Sequence, residues 1–383
     1  MVAALSSLKV QGFRSIESLN LDLSSNVTLL VGANGSGKSN IIDAFELLGR
    51  IVDGSLQSHL LRHGGMAAQL HRSATGQDAH DLVLEAWSQS AEFLKGGKPR
   101  RVQNGYEARL RASAGDEATL YERTFTHQVD HYPEPYDVPL GAARESQLPD
   151  VADEHPATRY LLEALTGCRV FHFDDTSPDA PPLRRVSVAD DLTLHDDARN
   201  LAAVLLTMQT DHPMHYRRIV RSVRNVAPFF DDFVLKPSGE DVILRWREKG
   251  LDTVFSGNAL SSGTLRFICL ATLLQQPEPP ATIVLDEPEL GLHPFAIHQL
   301  ADLLQSAGEQ RRIVVATQSV TLLSQFSIED VAVVERMQGA TTVSRLDSEA
   351  LEAWLDDYSV GDLWEMNLLG GRPHAHGRER VGD

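Results

Sequence analysis

Gly32-Ala-Asn34-Gly35-Ser36-Gly37-Lys38-Ser39-Asn40 combines glycines, a lysine and a hydroxyl in one short run, set between the apolar Val27–Val31 and a helical pattern opening at Ile41. A strand, a glycine loop and a helix in that order make a phosphate-cradling P-loop. The glycines let the backbone wrap closely, so that successive N–H groups and the helix N-terminus face the β-phosphate. Lys38 is then placed to pair with β- and γ-phosphate oxygens, and the Ser39 hydroxyl to ligate Mg²⁺. A plain glycine-rich turn is the simpler reading of such a run; the flanking strand and helix argue against it. The expectation is nucleoside triphosphate binding.

A second constellation lies far downstream. Ala281-Thr-Ile-Val-Leu-Asp286-Glu287 is a buried-strand pattern ending in two adjacent acids. An isolated Asp-Glu pair is usually a solvated turn, but after an apolar strand and an upstream P-loop it suggests paired roles. Asp286 would hold Mg²⁺, and Glu287 would orient the attacking water as general base. Leu260-Ser261-Ser262-Gly263-Thr264 precedes a helical pattern from Leu265 onward. Serine at such a place is by default a helix cap.

The elements that must position these residues follow from patterning. Leu8–Phe13, Ile16–Leu23 and Val27–Val31 read as strands, with turn chemistry at Ser24-Ser25-Asn26, and a helix runs from Gly37 to about Val52. Alternation at Asp81–Trp87, Tyr106–Ala112 and Ala118–Thr126 predicts an antiparallel sheet with one wet face. Residues 128–158, rich in Pro, Asp, Glu and His, read as a surface linker, and 157–227 as mostly helical, interrupted by Arg169–Asp174. Strand patterns return at 232–237 and 241–247. From 281 to 346 strands alternate with helices, the pattern of a parallel sheet. The expected organisation is an N-terminal lobe (1–127), a linker with a helical insertion (128–227), a C-terminal lobe (228–370) and a disordered tail (371–383).

Bulk properties narrow the class. With 383 residues, 42% of them hydrophobic, the chain can bury a substantial core. It shows no run long and apolar enough to span a bilayer and no signal-peptide core, so a cytoplasmic protein without membrane contact is expected. Cys168 and Cys269 lie in apolar surroundings without metal-type spacing and are expected to be reduced core thiols. The formal charge of −18 disfavours even coating of nucleic acid; any DNA contact would need a local basic patch. Arg217, Arg221 and Arg224 form one such helical face, opposite Ile219, Val220, Val223 and Val226. A solvated amphipathic helix is the plainer account of that face. Lys95–Arg101 is a second basic cluster, in an expected hairpin loop.

Taken in order, the P-loop with Asn34 and Gly35, Leu260-Ser-Ser-Gly263 and Asp286-Glu-Pro-Glu-Leu-Gly-Leu-His293 resemble the ABC-type ATPase superfamily. The resemblance implies an α/β head with an antiparallel β-subdomain, a mostly parallel core sheet and a helical insertion, using ATP and Mg²⁺. It also implies a homodimer in which Ser261, Ser262 and Gly263 contact ATP held by the opposite copy, while Gly291 and Leu292 fall in the loop joining the two sites. Gly-Lys-Ser-Asn40-Ile-Ile-Asp43-Ala44 and Gly12-Phe13-Arg14-Ser15-Ile16 look like the RecF/SMC/OLD branch. In that branch the arginine can approach the phosphates; otherwise Arg14 is an exposed turn charge. The chain is most similar to bacterial RecF-like AAA-family ATPases, also matching at Phe171–Ser177, Asp357–Trp364 and Gly370-Gly371-Arg372-Pro373. No role for these segments follows from that likeness; Val170–Phe173 is expected to be a strand with a capped exit.

Two departures are visible. Where ABC transporters carry a histidine after the last core strand, this chain has Ala316-Thr317-Gln318-Ser319, and glutamine can bond the γ-phosphate or the lytic water without carrying positive charge. Ser262 replaces the first glycine of the common Leu-Ser-Gly-Gly form. Slow ATP hydrolysis is therefore expected. Three uses of the switch stay open: an ATP-gated clamp in DNA repair or maintenance, a regulatory ATPase controlling a separate effector protein in an anti-phage system, and a transporter motor. Asn40 and Gln318 disfavour the last. About forty residues follow Leu346, too few for a further domain of ordinary size, so any nuclease would act in trans.

Overall fold

Val27–Val31 is buried along its whole length, as a strand covered on both faces must be. It lies inside a six-stranded sheet ordered Ala340–Arg345, Val331–Met337, Val27–Val31, Arg312–Thr317, Thr282–Asp286, Cys168–Phe171. All neighbouring pairs are parallel except the hairpin at the Ala340–Arg345 edge. Successive side chains alternate between two cores. Val27, Leu29 and Val31 enter the cluster beneath the helices Leu201–Asp211, Pro213–Val226, Ser262–Gln275 and Pro294–Gly308, while Leu30 enters the one beneath the helix Lys38–Val52. The first cluster also takes Ile283 and Leu285; the second takes Val284, Val314 and Ala316.

The structure, a computed structural model, describes residues 4–73, 76–93, 99–129, 132–153, 156–346, 351, 354 and 357–370. Residues 95–98 of the second basic cluster and the segment 371–383, with Gly371, Arg372 and Pro373, lie outside the described residues. A second, antiparallel sheet runs Ile16–Asp22, Leu5–Phe13, Asp81–Phe93, Pro99–Ala112, Ala118–Gln128, Tyr136–Ala143. Its inner face contributes Leu8, Val10, Leu84, Tyr106 and Leu110 to the core under Lys38–Val52.

The structure corrects two expectations about the middle of the chain. Residues 128–158 are not merely a linker: Tyr136–Ala143 pairs with Ala118–Gln128 as an edge strand, exposed along most of its length and carrying Pro139, a residue tolerated in a sheet mainly at its edge. The segment 157–227 is less helical than its composition suggests. Between helices Pro156–Thr166 and Leu201–Asp211 it supplies the core strand Cys168–Phe171, followed by turns and a two-residue strand, Val186–Ser187. Val360–Glu365, within the Asp357–Trp364 segment, forms a helix whose Ser359 hydroxyl meets that of Ser324 at 3.0 Å. It braces the turn of helix Val320–Leu323 immediately after Gln318.

Candidate active site

Four strand tips of the core sheet end side by side: Val31 leads into the P-loop, Thr317 into Gln318, Asp286 into Glu287, and Phe171 into His172. The carboxyl ends of parallel strands are where open α/β sheets bind ligands. The P-loop closes over the start of Lys38–Val52 with Gly37 at φ 109°, a left-handed conformation open to glycine. A Cβ there would also come within 2.0 Å of Thr341 Oγ1. Thr341 itself donates to the Ser36 carbonyl at 3.0 Å and meets the Ser15 hydroxyl at 2.7 Å, and Asn40 Nδ2 donates to Ser15 Oγ at 2.6 Å. The loop is thus pinned by two segments more than 300 positions apart in the chain, joined by the Ser15–Thr341 contact.

Lys38 is buried, with its ammonium donating to the Gly32 carbonyl at 2.7 Å and the Ala33 carbonyl at 3.2 Å. Burial lowers its pKa; the charges of Glu287, Asp286 and Glu289 act in the opposite sense. Ser36 Oγ is buried without a hydrogen-bond partner among the described residues, whereas Asn34, Gly35 and Ser39 are exposed around the loop. A triphosphate fits this cradle: a curled lysine and an unsatisfied hydroxyl lie beside open backbone at Gly35, where even a Cβ would touch nothing.

Asp286 lies near Ser39, whose hydroxyl draws the carboxyl pKa down. Its carboxyl is nevertheless pushed above the usual range, first by burial and then by the neighbouring Glu287 charge. A hydroxyl beside a desolvated carboxylate is a hard-oxygen donor set suited to Mg²⁺. Glu287 adopts φ 40°, a left-handed backbone that costs a non-glycine residue about 1–3 kcal/mol. Its amide holds that geometry by donating to the Ala316 carbonyl at 2.8 Å. The Gln318 amide nitrogen donates to Glu287 Oε1 and to Asn34 Oδ1, both at 2.7 Å. One side chain therefore ties the P-loop to the acid at the next strand tip.

Ser261 caps the helix Ser262–Gln275, its oxygen accepting from the Thr264 amide at 3.2 Å. Ser261 and Ser262 are exposed. Gly263 backs onto the loop after Glu287 so closely that a Cβ would lie 2.5 Å from the Gly291 carbonyl. Arg266, buried one turn later, donates to the carbonyls of Phe173 at 2.9 Å, Asp174 at 3.2 Å and Leu290. The capping role and the exposed tip coexist, so the residues read as a trans contact form a presented surface within one copy.

Arg14 is not a free turn charge. It pairs with Asp43 on the helix after the P-loop, and its Nε donates to Gln69 Oε1 at 2.9 Å. Burial raises the Asp43 carboxyl while Arg14 opposes that shift. The structure also divides the basic helix face. Arg217 and Arg221 are exposed, but Arg224 is spent on its own chain, its Nε donating to the Asp231 carbonyl at 2.8 Å. Patterning identified neither the Thr341–Ser15 clasp nor Arg266. Glu289 and Thr317 stood inside segments singled out by sequence, yet without a role; both are buried, and they bond to one another.

Comparison with known proteins agrees with this geometry. Residues 5–48 match the family model described as "P-loop containing region of AAA domain". The DNA replication and repair protein RecF of Salmonella typhi is 38% identical over 82 residues, 21% of this chain and 23% of that protein. RecF of Parasynechococcus marenigrum is 31% identical over 121 residues, 32% of this chain and 27% of that protein. The matched stretch thus spans about a quarter of these relatives. Among solved structures, an Smc head bound to the C-terminal winged-helix domain of ScpA superposes with TM-score 0.60 at 16% identity, covering 91% of this chain and 99% of that one. An Smc head with an extended coiled coil from Pyrococcus furiosus gives 0.56 at 14% identity, covering 93% and 99%. The fold is that of an ABC-type head of the RecF/SMC kind. Because residues 27–324 match the family model described as "AAA domain, putative AbiEii toxin, Type IV TA system", the chain belongs to that AAA-domain family.

Proposed function

We propose that the chain is a Mg²⁺-dependent, ATP-hydrolysing switch that closes head to tail with a second copy. The observation that carries this reading is the Gln318 amide bridging Asn34 and Glu287, because it joins the phosphate loop to a candidate base. Ser39 and Asp286 would hold Mg²⁺, which when bound would draw charge from the β- and γ-phosphate oxygens. Glu287 orients a water toward the γ-phosphorus and accepts its proton as the bond to the β-phosphate oxygen breaks, giving ADP and phosphate. Lys38 moves from its own loop carbonyls to the phosphates. The exposed Ser261-Ser262-Gly263 tip completes the site of the opposite copy. A monomer should therefore hydrolyse ATP poorly, and specific activity should rise with protein concentration. Specific activity independent of concentration, from a monomer unchanged by ATP, would contradict the scheme.

A DNA-linked role in repair or maintenance is supported by the partial similarity to RecF, over 82 and 121 residues. Exposed Arg217 and Arg221 are the candidate DNA contacts, without Arg224. A second reading, regulation of a separate effector in genome defence, is favoured by the toxin-system description of the matching family. DNA binding that strengthens with ATP and weakens with salt supports the first; ATP-dependent capture of an effector without DNA affinity supports the second. No helix among the described residues is long and apolar enough to cross a membrane.

A further inference from the structure

The turn after Glu287 contains a second glutamate that the proposed hydrolysis does not use. Glu289 is 8% exposed, yet it sits one strand away from water-facing chemistry, between the Gln318 segment and the signature helix. One carboxylate oxygen accepts the Thr317 hydroxyl; the other, Oε2, has no hydrogen-bond partner among the described residues. The Thr317 hydroxyl oxygen in turn accepts the Ser319 amide at 3.0 Å, and the Gln318 backbone amide lies near enough to the Glu289 carboxylate to draw its pKa down. Thr317, Gln318 and Ser319 are therefore held from below by one acid, while Gln318 spends its side chain above on Asn34 and Glu287.

Glu289 is also tied to the other end of the site. The next two residues of its turn are those the signature helix grips: Arg266 binds the Leu290 carbonyl, and Gly263 rests on the Gly291 carbonyl. The path from Gly263 through Leu290-Gly291 to Glu289, then Thr317 and Gln318, is continuous and lies within one copy. A buried carboxylate is costly unless its bonds are satisfied, so retaining one here calls for a structural or catalytic return.

We propose that Glu289 is a positioning residue for ATP hydrolysis, whose carboxylate fixes the Thr317–Ser319 backbone so that the Gln318 amide holds Glu287 against the P-loop. Through Leu290 and Gly291 it reports the position of the signature helix to Gln318. The inference rests on the ATPase reading above and names a regulator of that same site.

Glu289→Gln keeps an oxygen that accepts the Thr317 hydroxyl, and Thr317→Ser keeps the hydroxyl; both should hydrolyse ATP within about threefold of the parent. Glu289→Ala and Thr317→Val each break the support, and a displacement of the order of an ångström at a reacting group costs roughly 100-fold in rate. Their kcat should fall by about that factor, with ATP dissociation constants, read by a fluorescent nucleotide at equilibrium, within about threefold of the parent. A purely structural role would lower the melting temperature and weaken nucleotide binding alongside kcat, and the Ser variant would not rescue selectively. Parental kcat in Thr317→Val, which loses only the hydroxyl and should fold, overturns the proposal. If the parent itself does not hydrolyse ATP, the ATPase reading fails instead, and the two failures are distinguishable.

Discussion

Replacing Gln318 with Leu removes both bonds of its amide while keeping the shape of the side chain. The bond to Asn34 is between neutral groups; the bond to Glu287 is to a carboxylate, and each is 2.7 Å long. A hydrogen bond to a charged group is worth about 1.5–3 kcal/mol net. If that energy serves to hold Glu287 in its strained orientation for water, its loss at the transition state lowers kcat by roughly 10- to 150-fold. Because Lys38, Ser39 and the loop amides are untouched, the ATP dissociation constant should move by less than about threefold. The assay is steady-state phosphate release with Mg²⁺, alongside equilibrium binding of a fluorescent nucleotide. Gln318→Glu supplies the complementary arm: two carboxylates in contact resist joint ionisation, so its activity should fall as pH rises, more steeply than the parent's. Unchanged kcat in Gln318→Leu would refute the reasoning, since the bridge would then be ornamental. Equal losses in binding and turnover would refute it differently, by showing Gln318 to be a ground-state ligand.

Further expectations follow from the same contacts. Asp286 is held above the ordinary carboxylate range by burial and by Glu287, so the folded nucleotide-free chain binds a proton that the unfolded chain has released, and stability declines as pH rises from about 4 through the raised value. Asp286→Asn removes that penalty: its melting temperature at pH 7 should exceed the parent's, the gap should close near pH 4, and Mg²⁺-dependent turnover should fall at least 100-fold. A melting temperature at or below the parent's would contradict this. Gly37→Ala forces a Cβ within 2.0 Å of Thr341 Oγ1 at φ 109°, and should destabilise by more than about 1 kcal/mol in denaturant titration while weakening ATP binding at least tenfold. If helix Pro213–Val226 contacts DNA, joint Arg217→Glu and Arg221→Glu substitution should weaken binding at least tenfold and reduce the salt slope by about 2. Identical binding removes that helix from the account.

How far the sequence carries is visible residue by residue. Val27–Val31 and Thr282–Asp286 are legible because strands buried on both faces need unbroken apolar runs, and the P-loop because its glycines answer a backbone demand. Asn34, Glu287 and Gln318 could each be singled out, but not their mutual bonds, which depend on strand order in the sheet. Thr341 was invisible for the same reason: its hydroxyl meets Ser36 across 305 positions, with no local pattern to announce it. Tyr136–Ala143 is hard to read because Pro139 and Gly141 inside it are turn and breaker signals that only an edge strand tolerates. Arg224 shows the converse: helical spacing sets it beside Arg217 and Arg221, but its bond inward to the Asp231 carbonyl depends on the fold. Local chemistry survives in a sequence; partnerships across the fold do not.

The central claim is that a triphosphate held by Lys38 in one copy is sealed by Ser262 of another. Glu287→Gln should bind ATP and Mg²⁺ without turning it over, so the closed state accumulates. Its structure, determined with ATP and Mg²⁺, should show a two-fold dimer with the Ser262 hydroxyl and the Gly263 amide in hydrogen-bond contact with the γ-phosphate bound at the opposite P-loop. Monomers with ATP bound and Ser262 facing solvent would contradict the account.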